Sequence, residues 1–201
     1  MPGGGAVCLA QKTDYHWDGS VTIRVEKAQA QLATLRVRIP AWADRTSIRV
    51  NGEAIDAGFV PGAYCELRRA WADGDVVELD LPMDVVLIEA HPRVEAARNR
   101  VAIMRGPVVY CLESADLAEG VDIDDVRVPR HAKWAARYAS NLLAGVTVLE
   151  TTAMVRSDNP MKELYRPLAK KSAQPTSLRL VPYYAWNNRG SGDMTVWLPL
   201  E

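Results

Sequence analysis

At 201 residues, the chain is long enough to bury one large hydrophobic core or two smaller ones. Its 48% hydrophobic and 24% charged residues are ordinary for a folded globular protein, and its formal net charge of −1 comes from interleaved acids and bases. This balance excludes the basic footprint of a protein that binds nucleic acid or a membrane surface, and no apolar run approaches the roughly 18 residues of a membrane span.

The N-terminus and the cysteines predict a cytoplasmic protein. Gly3-Gly4-Gly5 forms a flexible start, without the basic region and long apolar segment of a signal peptide. Cys8, Cys65 and Cys111 are an odd number of cysteines at wide spacing, and no C-x-x-C pair offers a zinc site. We interpret Cys65 and Cys111, which lie in apolar strands, as small buried hydrophobes in a reducing compartment.

The first part of the chain shows the two-residue period of half-buried β-strands. Apolar and polar residues alternate along 21–26 and 35–39, and short strand patterns return at 47–50 and 76–81. Asn51-Gly52 predicts a hairpin, because both central positions of a type I′ turn need positive φ. We predict a second hairpin at Asp73-Gly74-Asp75. Strands separated by about ten residues, with Gly, Asn and Pro between them, predict an antiparallel sandwich.

The stretch 100–113 is the most strongly apolar part of the chain. Two short runs rich in β-branched residues flank Arg105-Gly106-Pro107, and both are typical of buried strands. Pro107 lacks an N–H donor and Gly106 favours positive φ. The sequence therefore predicts either one strand broken by a bulge or bend, or two strands that meet at a sharp corner.

The remainder alternates between polar segments and strands. Residues 114–125 are acidic but lack the spacing of a calcium-binding EF-hand loop, so we predict a solvated loop. Trp134 and Tyr138, four residues apart within 131–143, predict one or two helical turns. Strands are predicted at 146–149, 151–155, 178–186 and 194–198, with an exposed, proline-containing excursion at 157–177.

These patterns predict an all-β protein made of two antiparallel, jelly-roll-like β-sandwich units with little helix. We place the first domain at 1–112 and the second at 113–201. The strands within 178–198 are candidates to return to the first domain.

The residues themselves define no catalytic or metal site. His16, His91 and His131 lie in no recognised motif, and no G-x-S-x-G sequence is present. Nothing singles out two of the 25 acids as a hydrolytic pair, since such carboxylates meet only in space. Three aromatic residues, Trp17, Tyr183 and Trp186, are candidates to stack on sugar rings, and packing in the core is the alternative role for such rings.

Eight short motifs nevertheless occur in a characteristic order. They are Thr13-Asp14-Tyr15-His16-Trp17-Asp18-Gly19, Arg38-Ile39-Pro40-Ala41-Trp42-Ala43, Val50-Asn51-Gly52-Glu53, Gly62-Ala63-Tyr64, Trp71-Ala72-Asp73-Gly74-Asp75, Leu79-Asp80-Leu81-Pro82-Met83, the run 101–110 and Pro182-Tyr183-Tyr184-Ala185-Trp186-Asn187-Asn188-Arg189-Gly190. Together they resemble the C-terminal part of glycoside hydrolase family 127, the β-L-arabinofuranosidase-type enzymes formerly grouped as a domain of unknown function. Residues 114–177 match least, and His16 stands where the family usually has proline.

The resemblance implies a catalytic α/α helical barrel followed by β-sandwich domains. In that family the barrel carries a zinc-bound cysteine cluster, a cysteine nucleophile and a glutamate acid/base, and no position of this chain matches any of them. We therefore expect no catalytic residue, metal ligand or cofactor here, with zinc confined to the missing catalytic domain. The chain alone is then not an enzyme, although a longer glycoside hydrolase containing it would be.

Three functions follow from these expectations. The first is an accessory region that braces the missing barrel and forms a dimer interface with a second copy. The second is a stand-alone carbohydrate-binding module for plant-type glycans rich in pentoses. The third is an independent enzyme whose site is assembled from dispersed acids.

Overall fold

A computed structural model describes residues 6–29, 32–56, 58–156, 164, 165, 167 and 172–201. The chain divides into two units, Met1–Asp84 and Val85–Glu201. The paired strands are antiparallel, and the helical structure of the described residues is limited to the 3₁₀ turns Glu95–Ala97, Ser114–Asp116, Ile123–Asp125 and Tyr183–Ala185. The prediction of an all-β protein with little helix is confirmed.

The first unit contains two sheets that share one core. Its strands are β1 Val7–Thr13, β2 Ser20–Ala28, β3 Leu32–Arg38, β4 Ser47–Val50, β5 Glu53–Ala54, β6 Tyr64–Ala70 and β7 Val76–Asp80. One sheet has the order β1-β2-β7-β4-β5, and β3 pairs with β6 in the other. The alternating apolar residues of both sheets meet inside, at Ile23, Val25, Val37, Ile39, Ile48, Val50, Cys65, Leu67, Trp71, Val77 and Leu79.

Two turns of this unit are joined by hydrogen bonds. Asn51 (φ 54°) and Gly52 (φ 81°) form the predicted hairpin between β4 and β5. The Asn51 Nδ2 donates to Asp75 Oδ1 over 2.9 Å, and the Val76 backbone N–H donates to Asn51 Oδ1 over 2.8 Å. The backbone N–H of Ala72 donates to Asp75 Oδ2 over 2.9 Å. Each turn therefore supplies hydrogen-bond partners that hold the other.

The hairpin predicted at Asp73-Gly74-Asp75 is wrong, although a turn is present there. Gly74 has a φ of 89°, as turn chemistry requires. However, β6 pairs with β3, whereas β7 pairs with β2 and β4. The turn therefore carries the chain from one sheet to the other.

The second unit is built on a nine-stranded sheet. Its strands are β8 Val85–Glu89, β9 Arg100–Arg105, β10 Val108–Glu113, β11 Val126–Arg127, β12 Ala135–Ala139, β13 Val146–Arg156, β14 Ala173–Pro182, β15 Met194–Thr195 and β16 Leu198–Pro199. The main path is β11-β13-β14-β10-β9-β16, with β12 on β13, β15 on β10 and β8 on β9. The core comprises Val101, Ile103, Val108, Tyr110, Leu112, Val126, Val128, Leu149, Ala153, Leu178, Leu180 and Leu198.

The two ends of this sheet meet. Val128, directly after β11, forms an isolated parallel bridge with Leu200, directly after β16. The Val128 backbone N–H donates to Pro199 O over 2.9 Å, and the Glu201 N–H donates to Val128 O over 3.0 Å. The sheet thus curls around its core until its ends are hydrogen-bonded to each other.

The run 100–113 forms a tight hairpin. Val108 faces Arg105 and Tyr110 faces Ile103 across β9 and β10. Gly106 has a φ of 54°, and Pro107 follows it as the second turn residue. Glycine at the first central position is typical of a type II′ turn, whose twist suits paired strands. The predicted break is real, and the chain reverses there completely.

Pairing also places the division between the units earlier than the predicted boundary at 112/113. β9 and β10 bond to β8, β14 and β16, so they belong to the second unit. The strands within 178–198 pair with β9, β10 and β13 of that same unit, not with Met1–Asp84.

Two further predictions differ, wholly or in part, from the structure. Helical turns within 131–143 are wrong, because residues 135–139 form β12 and pair with β13. Of the excursion predicted at 157–177, residues 173–177 belong to β14. The glycine run 3–5 and most of 157–171 lie outside the described residues. Within the described part of the chain, no helix has the length and apolarity that crossing a membrane would require.

Candidate functional site

The structure separates the three aromatic residues proposed for sugar stacking. Trp17 lies in the first unit, between β1 and β2, half-buried with its ring centroid 4.2 Å from that of His16. Tyr183 and Trp186 follow β14 in the second unit and are 44% and 38% exposed. Tyr184, between them, is 58% exposed. Three accessible rings therefore lie in one segment of the second unit.

Local sequence explains the shape of this segment, residues 183–190, which we call the aromatic loop. Pro182 ends β14, and a 3₁₀ turn over Tyr183–Ala185 follows, with Ala185 buried. Asn187 takes a left-handed φ of 62°, a conformation that asparagine tolerates better than most residues. The Asn188 Nδ2 donates to the carbonyls of Ala185 and Trp186, over 3.1 and 3.2 Å. The loop thus folds back on its own backbone.

Three charged side chains, two of them buried and one partly buried, hold the aromatic loop to β10. Glu113 ends β10 and Asp116 ends the 3₁₀ turn after it, and their side chains are 8% and 4% exposed. The Arg189 guanidinium lies between them, donating from Nε to Glu113 Oε2 over 3.1 Å and from Nη1 to Asp116 Oδ1 over 2.8 Å. Its Nη2 donates to both carboxylates. We call Glu113, Asp116 and Arg189 the ion cluster.

The backbone completes this attachment. The Asn187 N–H donates to Glu113 Oε1 over 2.8 Å, and the Ser114 N–H donates to Asp193 O over 2.9 Å. Gly192 lies so close to Ser114 that an added Cβ would be 2.5 Å from its Oγ. The C-terminal half of the aromatic loop and the residues directly after it are therefore fixed to the end of β10 and to the segment that follows.

The charges within this region nearly balance. The hydrogen bonds that Arg189 donates to Asp116 raise the pKa of its guanidinium well above the usual range, burial opposes this, and the bonds to Glu113 add to it. Arg179 extends the network, with Nη1 3.9 Å from Asp116 Oδ1 and Nε 3.3 Å from Glu150 Oε1. Removing charges from water is costly, and such close pairing and hydrogen bonding are what offset that cost.

The ion cluster is arranged for attachment and not for hydrolysis. Both carboxylates accept hydrogen bonds from Arg189, and Glu113 also accepts one from the backbone of Asn187. A general acid or base must instead be able to exchange its proton with a substrate. The third function considered above, an enzyme with dispersed acids, gains no site here. We conclude that the cluster positions the aromatic loop.

Sequence reasoning missed all three members of the ion cluster. Arg189 is separated from Glu113 by most of the second unit, and no local spacing joins them. The one available sign was a glutamate directly following the apolar run 108–112, because a charge at the end of a buried strand needs a partner.

The side chains that the structure describes do not fit a zinc site. Across the described ranges, no group of three or more His, Cys, Asp or Glu residues could hold a metal ion. All three cysteines are free, and Cys65 and Cys111 are buried as predicted. Burial, with a smaller contribution from Glu113, raises the pKa of Cys111 to about 12, which disfavours the thiolate that zinc binds.

Fold and site together define a class: two consecutive antiparallel β units, the second presenting a fixed loop of aromatic side chains. Comparison with known proteins gives the family. Residues 2–83 match the description "Beta-L-arabinofuranosidase, GH127 middle domain", and residues 85–199 match "Glycoside hydrolase family 127 C-terminal domain". The chain belongs to glycoside hydrolase family 127. The two matches divide where the two units of the structure divide.

Individual relatives agree with this assignment. A non-reducing end β-L-arabinofuranosidase from Bifidobacterium longum subsp. longum is 33% identical over 210 residues, covering 94% of this chain and 30% of that protein. A solved GH127 β-L-arabinofuranosidase from Geobacillus stearothermophilus T6 is 39% identical with a TM-score of 0.91, covering 99% of this chain and 31% of that one. Another solved glycoside hydrolase is 41% identical with a TM-score of 0.90, covering 96% and 32%. The chain thus spans about a third of the length of these relatives.

Proposed function

We propose that this chain is the non-catalytic C-terminal region of a β-L-arabinofuranosidase-type hydrolase, and that its two β units brace the catalytic barrel. The observation that carries the proposal is the match, in order, to the middle and C-terminal domains of family 127, within about 30% of the curated relative. Zinc and the reacting groups would then belong to the barrel.

The chemistry of the described residues supports a non-catalytic role. The buried carboxylates of the ion cluster accept hydrogen bonds from Arg189, and Glu113 also accepts one from the backbone N–H of Asn187. Burial raises the pKa of both Cys65 and Cys111, which makes them poor nucleophiles. The free state of all three thiols also accords with a reducing, cytoplasmic compartment.

An apolar surface on β8 supports a bracing role. Val85 and Leu87 pack against the core of the second unit, so Val86 and Ile88 point the other way, and they are 44% and 40% exposed. β8 bonds to β9, where Val86 faces Met104. Paired exposed aliphatic side chains on a sheet offer a surface that the barrel, or a second copy in a dimer, could cover.

Hydrolysis by the purified chain is the direct test. We expect no release of nitrophenol from p-nitrophenyl β-L-arabinofuranoside above the buffer rate, with a full-length family 127 enzyme as the positive control. Robust hydrolysis by the 201-residue chain would contradict the proposal.

Size in the source cells and association provide two further tests. An immunoblot against this region should show a band far above 22.2 kDa if the chain is part of a longer enzyme. In the full-length protein, V86D/I88D should lower the melting temperature of the barrel, because two charges on β8 would disrupt its docking surface, whereas a charge reversal at the exposed Glu53 of β5 (E53K) should not. Equal melting temperatures for both variants would argue against bracing through β8.

The aromatic loop supports a second candidate function, binding of plant-type glycans. Tyr183, Tyr184 and Trp186 are accessible, and the ion cluster fixes their backbone. Arabinan should quench Trp fluorescence, and Y183A or W186A should abolish the change. Y165A, which removes a 91% exposed tyrosine elsewhere, is the matched control. No quenching in the parent chain would contradict this function.

A further inference from the structure

A pocket in the second unit combines unpaired charges of both signs. It has a volume of about 270 Å³ and lies beside the end of β8 and the 3₁₀ turn Glu95–Ala97. Its charged lining consists of Glu89, Arg98, Arg100 and Arg130. Three guanidinium groups against one carboxylate give the wall an excess of positive charge.

Two of the arginines are held in place by the protein. Arg98 donates from Nε to Pro92 O over 3.3 Å, and its Nη2 lies 3.3 Å from Glu95 Oε1. Arg100 donates from Nη1 to Trp197 O over 3.2 Å, while its Nη2 is 4.0 Å from Asp124 Oδ1. Each of these two side chains therefore already has an acidic neighbour.

Arg130 and Glu89 differ from the other two charged residues. Among the described residues, neither of them has a side-chain hydrogen bond or an ion pair. Arg130 is thus available to an anion, and Glu89 is available to groups that donate hydrogen bonds. A ligand that fits both would carry a carboxylate and hydroxyl groups on one small framework.

The rest of the lining is apolar. Val94 and Leu200 present aliphatic carbon to the pocket, which suits the C–H face of a sugar ring. We propose that this pocket binds an acidic sugar, a uronate, with the carboxylate on Arg130 and ring hydroxyls donating to Glu89. The choice of a sugar over other carboxylates rests on membership of a glycoside hydrolase family.

Methyl resonances provide a test that needs no activity. Galacturonate is titrated into the ¹³C-methyl-labelled chain, and the signals of Val94 and Leu200 are followed. We expect saturable shifts, binding about ten-fold tighter than that of galactose or inorganic phosphate, and weakening by salt, because the Arg130 contact is an exposed ion pair. Galactose binding as tightly as galacturonate, or no shift at all, would overturn the proposal. Phosphate binding as tightly would reduce the site to a simple anion site, and this would also overturn it.

Two variants assign the roles. R130A should weaken galacturonate binding about ten-fold, since it removes a charge-assisted contact, and E89Q should weaken it less. R93A removes the same charge from an exposed arginine that lies between β8 and β9, outside the pocket lining, so it should bind within about two-fold of the parent. Unchanged melting temperatures would show that all three fold. Loss of binding in R93A, or its retention in R130A, would contradict the assignment. Neither result bears on the hydrolysis test above.

Discussion

The two units fix their turns by different physical means. In the first unit, Asn51 and Asp75 join two exposed turns. The Asn51 amide donates to the Asp75 carboxylate, and each of these two side chains also accepts a hydrogen bond from a backbone N–H. In the second, Arg189 fixes the aromatic loop through two carboxylates that are almost fully buried. Water can replace a partner lost from an exposed turn, but it cannot easily replace one lost from the ion cluster. The comparison predicts a much greater sensitivity to mutation at the buried site.

The largest effect should come from R189A. It leaves Glu113 and Asp116 buried without their cation, so we expect the second unit to lose about 2–4 kcal/mol of its free energy of unfolding. Urea denaturation followed by near-UV circular dichroism measures this loss.

R36A is the matched control for R189A. It breaks an ion pair with Glu66 in which both side chains are more than half exposed, and it should cost less than about 1 kcal/mol. A triple variant, E113Q/D116N/R189M, should recover part of the stability by removing the unpaired charges. Equal losses for R189A and R36A would remove the basis of the comparison.

The next largest effect should come from a steric clash at Gly19 in the first unit. A Cβ there would lie 1.9 Å from the Leu81 carbonyl oxygen, and the Leu81 N–H donates to Gly19 O over 3.1 Å. Because the obstacle is backbone, G19A should destabilise the first unit by about 1–3 kcal/mol. Thermal unfolding of G19A and of S20A, its exposed neighbour, tests this. A melting temperature for G19A equal to that of S20A would show that the backbone can relax.

Variants of Asn51 separate the two contributions of that side chain. N51A loses its hydrogen bonds and also the tolerance of a left-handed φ, whereas N51G loses the hydrogen bonds alone. We expect N51A to cost about 1–2 kcal/mol and N51G less, measured by urea denaturation. A larger loss for N51G than for N51A would mean that the backbone entropy of glycine outweighs the strain of alanine at a left-handed φ.

The smallest effect should be a dependence on pH through Asp75. The Ala72 N–H and then the Asn51 amide lower the pKa of this carboxyl in the folded state. Its contribution is therefore complete above the unfolded carboxyl pKa of about 4, and it is lost as pH falls through the lower folded value. D75N should flatten the fall in first-unit stability between about pH 5 and pH 2. Parallel curves for the parent and D75N would contradict the assignment.

Local chemistry was predictable where a few neighbouring residues decide it. Asn51-Gly52 has the turn that its φ preferences require, and 100–113 is buried as its composition indicates. The pairing partner of a strand was harder to predict. The sequence Asp73-Gly74-Asp75 specifies a turn, but it does not specify whether the next strand returns to the same sheet. The helical turns predicted from Trp134 and Tyr138 were wrong because a spacing of four residues fits one face of a strand as well as one face of a helix.

The candidate sites were predicted only in part. Tyr183 and Trp186 were recognisable as aromatic residues in a turn-rich segment, and both are accessible. The ion cluster and the Arg130 pocket join residues distant in sequence, and only the folded sheet brings them together. Ion pairs between residues that are distant in sequence leave no local pattern, so a single sequence does not reveal them.

The closure of the second sheet has a kinetic consequence. Val101 pairs with Leu198 and Val128 bridges Leu200, so the ring of strands is completed by residues that are far apart in the sequence. Chain entropy must be lost before these contacts form, and folds dominated by such distant pairs reach the native state in milliseconds to seconds. Refolding of this unit should therefore be slow for its size, with the hairpin at Gly106 formed long before the last strand docks.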